Sequence, residues 1–355
     1  MWWRWPDAAA RSAIPSRSPD AIRGWFTLLP GLHPGYVLMS MQTPASHPGI
    51  HVTLGELIDM RHKVHEVPLF STPARRSPLI GLHHSRLRGR GVDFDQVRVY
   101  QAGDDVRTID WRVTARTQEP HTKLFHEERE RPIFIIAEQS QRLFFSSSLC
   151  FKSVLAAQAA ALVAWAALGH NDRIGGLVFA DNEHHEVKPR RSKQSLLQLL
   201  NLLARANQAL QPEPQPGGVR DAFGLALRRA REVLRPGSLV VVLCDERALS
   251  DNAEQQLTLL ARHTDLLLLP LSDPLDHALP AAGLLRFTQN DAQLELDSHN
   301  GDLRQRYREQ AQTREQRWQR LAQKLGVPLL PLSTQFELVE QLQEQLSALR
   351  PRKAP

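Results

Sequence analysis

Ser238–Cys244 reads SLVVVLC, and Asp245-Glu246 follows it directly. A short, unbroken apolar run of strand length, with no polar residue at alternate positions, is the pattern of a strand covered on both faces. Similar runs occur at Ile133–Ala137, Ile174–Ala180, Leu266–Leu271 and Val327–Leu332. Between and after them lie stretches with helical periodicity: Phe151–Leu168, Ser192–Ala206, Asp221–Leu234, Asn252–His263, Leu303–Leu325 and Phe336–Leu349. Strands that alternate with helices bury a parallel sheet from both sides, so the expected fold is α/β, a doubly wound, mostly parallel sheet. Leu284–Phe287 and Gln293–Leu296 read as an inserted hairpin turning at Asn290-Asp291.

Upstream, the chain reads as a small mixed α and β module. Val52–Val67 carries a helical apolar stripe, with Thr53 and Glu56 spaced as a capping box. Val97–Tyr100 alternates like a strand, Ala102–Asp105 reads as a turn, and Asp110–Arg116 and Thr122–His126 read as extended. Four of the seven Trp residues crowd the first 40 positions, before Met39 and Met41. The expected organisation is a disordered tail or early-called start over 1–40, a small module over 41–131, and the doubly wound domain over 132–350.

Composition narrows the function classes. With 42% hydrophobic and 23% charged residues over 355 positions, the chain can build a real core. Its formal charge of +6 is mild and its bases sit beside acids, which argues against a specific nucleic-acid partner. Cys150 and Cys244 both adjoin apolar runs and read as buried thiols in a reducing compartment, so the expected location is cytoplasmic. Val154–Leu168 contains Gln158 and falls short of the roughly 18 apolar residues of a spanning helix. It reads as a core helix, and no transmembrane segment is expected.

Ligand sites in such sheets form at the carboxyl ends of the strands, beside the point where strand order reverses. Those ends are Glu138–Arg142, Asp245-Glu246 and Ser272-Asp273, with the loop Gly217–Arg220 leading into a helix nearby. A second candidate is Gly89–Arg116, GRGVDFDQVRVYQAGDDVRTIDWRVTAR, where five Asp interleave with Arg. Its acids could hold a metal for hydrolysis. The favoured reading is an internally paired network, with Trp111 anchoring the module against the main domain. His83-His84, His121, His126 and His184-His185 lack a zinc spacing such as H-E-x-x-H. Gly169–Gly176 lacks the Lys-Ser or Lys-Thr of a phosphate loop and reads as a connecting turn. Lys188, Arg190, Arg191 and Lys193 form the strongest basic run, read as a solvated face before a helix.

The string formed by Gly89, Gly91, Phe94, Asp95, Arg98, Tyr100, Gly103, Asp104, Asp105, Arg107, Ile109, Asp110, Trp111, Ala115 and Arg116 resembles the bacterial domain-of-unknown-function 58 family. The resemblance implies a von Willebrand factor A-like domain and a partnership with a MoxR-type AAA+ ATPase. It implies no established enzymatic activity. It also implies a degenerate metal site. Glu138 stands where the first Asp of D-x-S-x-S is expected, Ser140 matches the first Ser, Arg142 replaces the second, Val219 replaces a Thr, and Asp245 fits the last position. Arg142 offers a salt bridge to Glu138 or Asp245 in place of the ion. No cofactor is expected, with a magnesium ion as the alternative. The function expected is a non-enzymatic adaptor or assembly factor; the alternative is a metal-dependent hydrolase using the Asp-rich module. The candidate partner-binding residues are Arg98, Tyr100, Asp104, Asp105, Arg107, Asp110, Trp111, Arg116 and Arg142.

Overall fold

The structure is a computed structural model that describes residues 2–4, 49–67, 69, 93–126, 132–211, 221–289 and 292–348. The expectations for Gly217–Arg220, His83-His84, the Asn290-Asp291 turn and most of the 1–40 tail lie outside them. The strands are β1 (Trp2–Arg4), β2 (Asp93–Val99), β3 (His121–His126), β4 (Pro132–Glu138), β5 (Arg173–Phe179), β6 (His184–Arg190), β7 (Leu239–Asp245), β8 (Asp265–Ser272), β9 (Leu284–Gln289), β10 (Ala292–Asp297) and β11 (Leu332–Ser333). The helices are α1 (Leu54–Asp59), α2 (Trp111–Thr117), α3 (Lys152–Gly169), α4 (Lys193–Gln208), α5 (Ala222–Val233), α6 (Asp251–Ala261), α7 (Pro274–His277), α8 (Gly301–Leu325) and α9 (Leu338–Ala348).

The main sheet runs β11-β8-β7-β4-β5-β6. Every pairing in it is parallel except β5 with β6. The mostly parallel doubly wound sheet is therefore present. The chain enters at β4, steps to β5 and β6, then returns to β7 on the other side of β4. Strand order thus reverses between β4 and β7, and this crevice is where such folds place their sites.

Alternation within β4 explains the two layers. Ile133, Ile135 and Ala137 join the apolar cluster that holds α3, α4 and α9, whereas Phe134 and Ile136 join the one that holds α5, α6 and the end of α8. On the first face, α3 is buried nearly all round. It is long and apolar enough by composition to cross a membrane, but 78% of that window is buried inside the protein. Gly176 in β5 lets α4 approach, since a Cβ there would lie 2.6 Å from the Ile135 carbonyl and 2.9 Å from Leu199. The Gly pair thus lies inside the strand expected over Ile174–Ala180. On the second face, Trp318 of α8 is buried and its indole donates to the Glu246 carbonyl at 2.8 Å. Removing a buried aromatic of this kind costs about 3–5 kcal/mol.

Two local expectations are corrected and a third gains a strand. Asp110–Arg116 is not extended: Asp110 caps α2, its carboxylate accepting from the Arg112 and Val113 N–H groups at 3.0 and 3.3 Å. The basic run is the expected solvated face before a helix: Lys188, Arg190, Arg191 and Lys193 are exposed and α4 starts at Lys193, with Lys188 and Arg190 in β6, the antiparallel edge. Charged side chains on an edge strand oppose pairing with another sheet, which accounts for the composition. The apolar run Val327–Leu332 forms only a bridge at Leu329 and the two-residue β11.

The expected capping box of Thr53 and Glu56 is present. Its helix, however, packs on the main domain and not with β2 and β3. Leu57 and Met60 join the α3 cluster, and the Trp165 indole donates to the Leu57 carbonyl at 3.0 Å. The expected hairpin forms as β9 and β10, and β1 pairs antiparallel with β9.

Candidate functional site at the reversal of strand order

Glu138 ends β4 and Asp245 ends β7, so the two carboxylates flank the crevice. Both are buried. Glu138 accepts from the Asp245 backbone N–H at 2.8 Å and from the Ser140 hydroxyl at 2.5 Å. Burial, and then the charge of Asp245, raise the Glu138 pKa; Arg142 and the Ser140 hydrogen bond oppose them. The geometry brings together the three residues named as remnants of a metal site.

The cation that meets Asp245 is one that the sequence does not flag. Lys152 opens α3, is fully buried, and donates to Asp245 at 2.6 Å and to Asp276 at 2.8 Å. Arg247 closes on the same pair, with its Nε 2.9 Å from Asp245 and its NH1 3.4 Å from Asp276. A second guanidinium contact to Asp245, at 3.1 Å, makes the grip two-pronged. Burial alone would raise the Asp245 pKa, but Lys152 and Arg247 outweigh it and hold the carboxyl well below the usual range. The expected replacement of an ion by Arg142 is therefore corrected. Arg142 is exposed and acts on Glu138 through its charge, while Lys152 and Arg247 hold the acid of β7.

This donor set does not suit a divalent cation. Magnesium favours oxygen donors and retains several waters. Here the Asp245 carboxylate contacts two cationic side chains, and a fully buried ammonium lies between it and Asp276. Among the described residues, no group of three His, Cys, Asp or Glu side chains could hold a metal ion. The thiols do not offer a nucleophile either: burial drives the Cys244 pKa well up and that of Cys150 to about 11.

The surroundings lock the crevice. Gln139 donates to the Ser153 carbonyl and accepts from Asn207, whose own amide oxygen receives the Val52 N–H. Asp273, beyond β8, accepts from the Ser147 N–H at 2.8 Å, from the Ser146 hydroxyl at 3.1 Å and from Thr334 at 2.5 Å. Arg314 of α8 reaches the Asp276 carbonyl at 2.6 Å and Glu246 at 3.3 Å. Around this interior, Arg142, Leu149 and Phe336 are exposed, the last two at 51% and 56%. The Leu149 N–H donates to the Thr334 carbonyl at 3.1 Å, joining the loops that carry them.

The central acids of the acid-rich segment turn to groups of that segment and its neighbouring strand. Asp104 pairs with Arg98 at 2.7 Å and accepts the Gln101 N–H at 2.9 Å. The Tyr100 hydroxyl donates to the Asp104 carbonyl at 3.3 Å. Asp105 caps the Arg107 N–H, and Asp110 caps α2 and lies 3.4 Å from Lys123. Asp104, Asp105 and Asp110 are used internally, Asp104 through an arginine and all three through backbone N–H groups. Trp111 is 68% exposed, so its expected role as an anchor between modules is overturned. Arg107, Arg112 and Arg116 are also exposed.

Among solved structures, the chain is similar to a conserved hypothetical protein, BatB, from Bacteroides thetaiotaomicron. The identity is 14% and the TM-score 0.39, covering 62% of this chain and 98% of that one. It is also similar to a von Willebrand factor type A protein from Catenulispora acidiphila, at 13% identity and TM-score 0.26, over 43% of this chain and 35% of that one. Both likenesses are weak, and the fold assignment rests on the strand order. Uncharacterized proteins from Mycobacterium tuberculosis and Mycobacterium bovis are 31% identical over 205 residues, 58% of this chain. The match spans 62% of the length of those curated relatives. A family profile described as "Protein of unknown function DUF58" matches residues 96–317, more than half of the chain, and the chain therefore belongs to that family.

Proposed function

We propose that this chain is a non-enzymatic adaptor whose strand-end rim binds a partner without a metal ion, and that the partner is a MoxR-type AAA+ ATPase. The observation that carries the reading is Lys152. Its buried ammonium bridges Asp245 and Asp276 at the reversal of strand order, where a metal-dependent relative of this fold would need open oxygen donors. The crevice interior keeps its shape by ion pairing, and the groups available to a partner are at the perimeter: Arg142, Leu149 and Phe336. The ATPase supplies nucleotide hydrolysis, and this chain supplies recognition.

The runner-up, hydrolysis by the Asp-rich module, loses support from the same structure. Asp104, Asp105 and Asp110 act as caps and ion-pair partners. The test is co-purification of the full chain with a MoxR-type ATPase from the same host, with and without nucleotide and chelator. The expected result is a complex that survives chelation and weakens about tenfold or more when Phe336→Ser and Leu149→Ser are combined. Failure to associate under any salt or nucleotide condition would sink the proposal.

A further inference from the structure

The unit built from β2, the turn Val106–Thr108, α2 and β3 sorts its charges by sign. Residues 93–126 hold six acids and five Lys or Arg, so the unit is not basic as a whole. Its central acids turn to backbone and neighbours: Asp104 to Arg98 and Gln101, Asp105 to the Arg107 N–H, Asp110 to the first turn of α2 and Lys123. Three arginines go the other way. Arg107, Arg112 and Arg116 are exposed, and among the described residues no ion pair holds them.

Helical spacing gathers the outward groups. In α2, Val113 and Thr114 are half-buried, and the Thr114 hydroxyl accepts the His121 N–H at 3.1 Å, so this face lies against β3. Positions 111, 112, 115 and 116 form the opposite face, because residues four apart share a side of a helix. That face carries Trp111 at 68% exposure beside Arg112 and Arg116, and Val106, 59% exposed, precedes it. A large exposed aromatic on one helix face with two unpaired arginines has the composition of an interface hot spot, where Trp and Arg are enriched.

We propose that Val106, Arg107, Trp111, Arg112 and Arg116 form a docking surface for an acidic segment of a partner protein that carries an apolar or aromatic residue. Charge complementarity selects the occupant: three unpaired guanidinium groups call for carboxylates, and the indole calls for an apolar side chain. A nucleic acid fits less well. A nucleic acid needs a continuous basic track for its phosphates, and exposed Asp105 and Glu119 interrupt one on this unit. This proposal is independent of the rim and stands or falls without it.

The test is selection of random 12-residue peptides displayed on phage against the full chain. Counter-selection uses the full-length Trp111→Ala variant and the Arg112→Glu/Arg116→Glu variant. Both change exposed positions, and unchanged melting curves confirm their folding. The expected outcome is enrichment of peptides with several Asp or Glu around one Phe, Trp or Leu. Their binding by fluorescence anisotropy weakens about tenfold or more in each variant and falls with added salt. Enrichment of peptides without acids, affinity unchanged in both variants, no enrichment, or tighter binding of a 12-residue oligouridine would each overturn it.

Discussion

The crevice between β4 and β7 and the unit formed by β2, α2 and β3 are both dense in opposite charges, and they arrange them in opposite ways. At the crevice, acids and cation are both inside: Asp245, Asp276 and Lys152 are all buried, and the ammonium lies 2.6 Å from one carboxylate and 2.8 Å from the other. In the small unit Asp104, Asp105 and Asp110 are partnered, whereas Arg107, Arg112 and Arg116 face outward. A buried pair is held by the low dielectric and fixes shape; it adds little to stability against an apolar replacement, but is costly to break. Exposed arginines contribute little to folding and remain available to a partner. The same residue types thus build a scaffold in one place and a contact surface in the other.

Breaking each arrangement should expose this difference. Lys152→Met removes the ammonium from two carboxylates that remain buried, so urea denaturation should show a loss of about 3–5 kcal/mol. Arg116→Met, an exposed position, should stay within about 0.5 kcal/mol. Similar losses in both would collapse the distinction.

Acid titration probes the crevice in another way. The Asp245 carboxyl is held below its ordinary value, so its contribution is fully present above the unfolded-state pKa and disappears as pH falls through the folded value. Urea midpoints should therefore fall as pH drops below about 4. The fall should be shallower in Lys152→Met, where one of the two cationic partners of Asp245 is gone. Parallel profiles would mean that Asp245 does not draw its stabilisation from Lys152.

A smaller effect belongs to the small unit. Asp110→Ala removes the side-chain cap of α2 and should cost about 1 kcal/mol, with Asp110→Asn retaining most of it.

How much of this could be read from the sequence depends on the range of the interaction. The buried strands were legible because the code is local: SLVVVLC at 238–244 has no polar residue after its first. Strand β6 was hidden because its burial comes only at Val187 among exposed neighbours, so charge masked the strand pattern. Helix α2 was hidden because a seven-residue helix with Val and Thr in its middle has weak propensity; its Asp110 cap was the available signal. Lys152 was the harder case. It is the one charged residue of the helix KSVLAAQAAALVAWAALG, and its partners lie 93 and 124 positions away. A lone Lys at the head of an apolar helix facing a strand-end rim is a usable clue only once the strand order is known. Glu138, Ser140 and Asp245 were legible because strand ends are, but what neutralises them was not.

The smallest expected effect concerns Glu138. Its pKa is raised, so its folding contribution is fully present below the unfolded-state value and is lost as pH rises through the folded one. Ionising it therefore opposes folding. Glu138→Gln keeps an acceptor for the Asp245 N–H and should leave stability at pH 7 unchanged or slightly higher, by about 0–1 kcal/mol. A loss as large as that of Lys152→Met would show the two acids to be equivalent, contrary to their environments.

The central claim is that Lys152 holds the place of an ion at the reversal of strand order. A ligand that binds the folded state raises its stability with concentration. The most direct measurement is the urea unfolding midpoint of the unmodified chain across added magnesium and manganese, and in chelator. The account predicts one midpoint under all three conditions. A midpoint that rises with either ion and falls with chelator would contradict it.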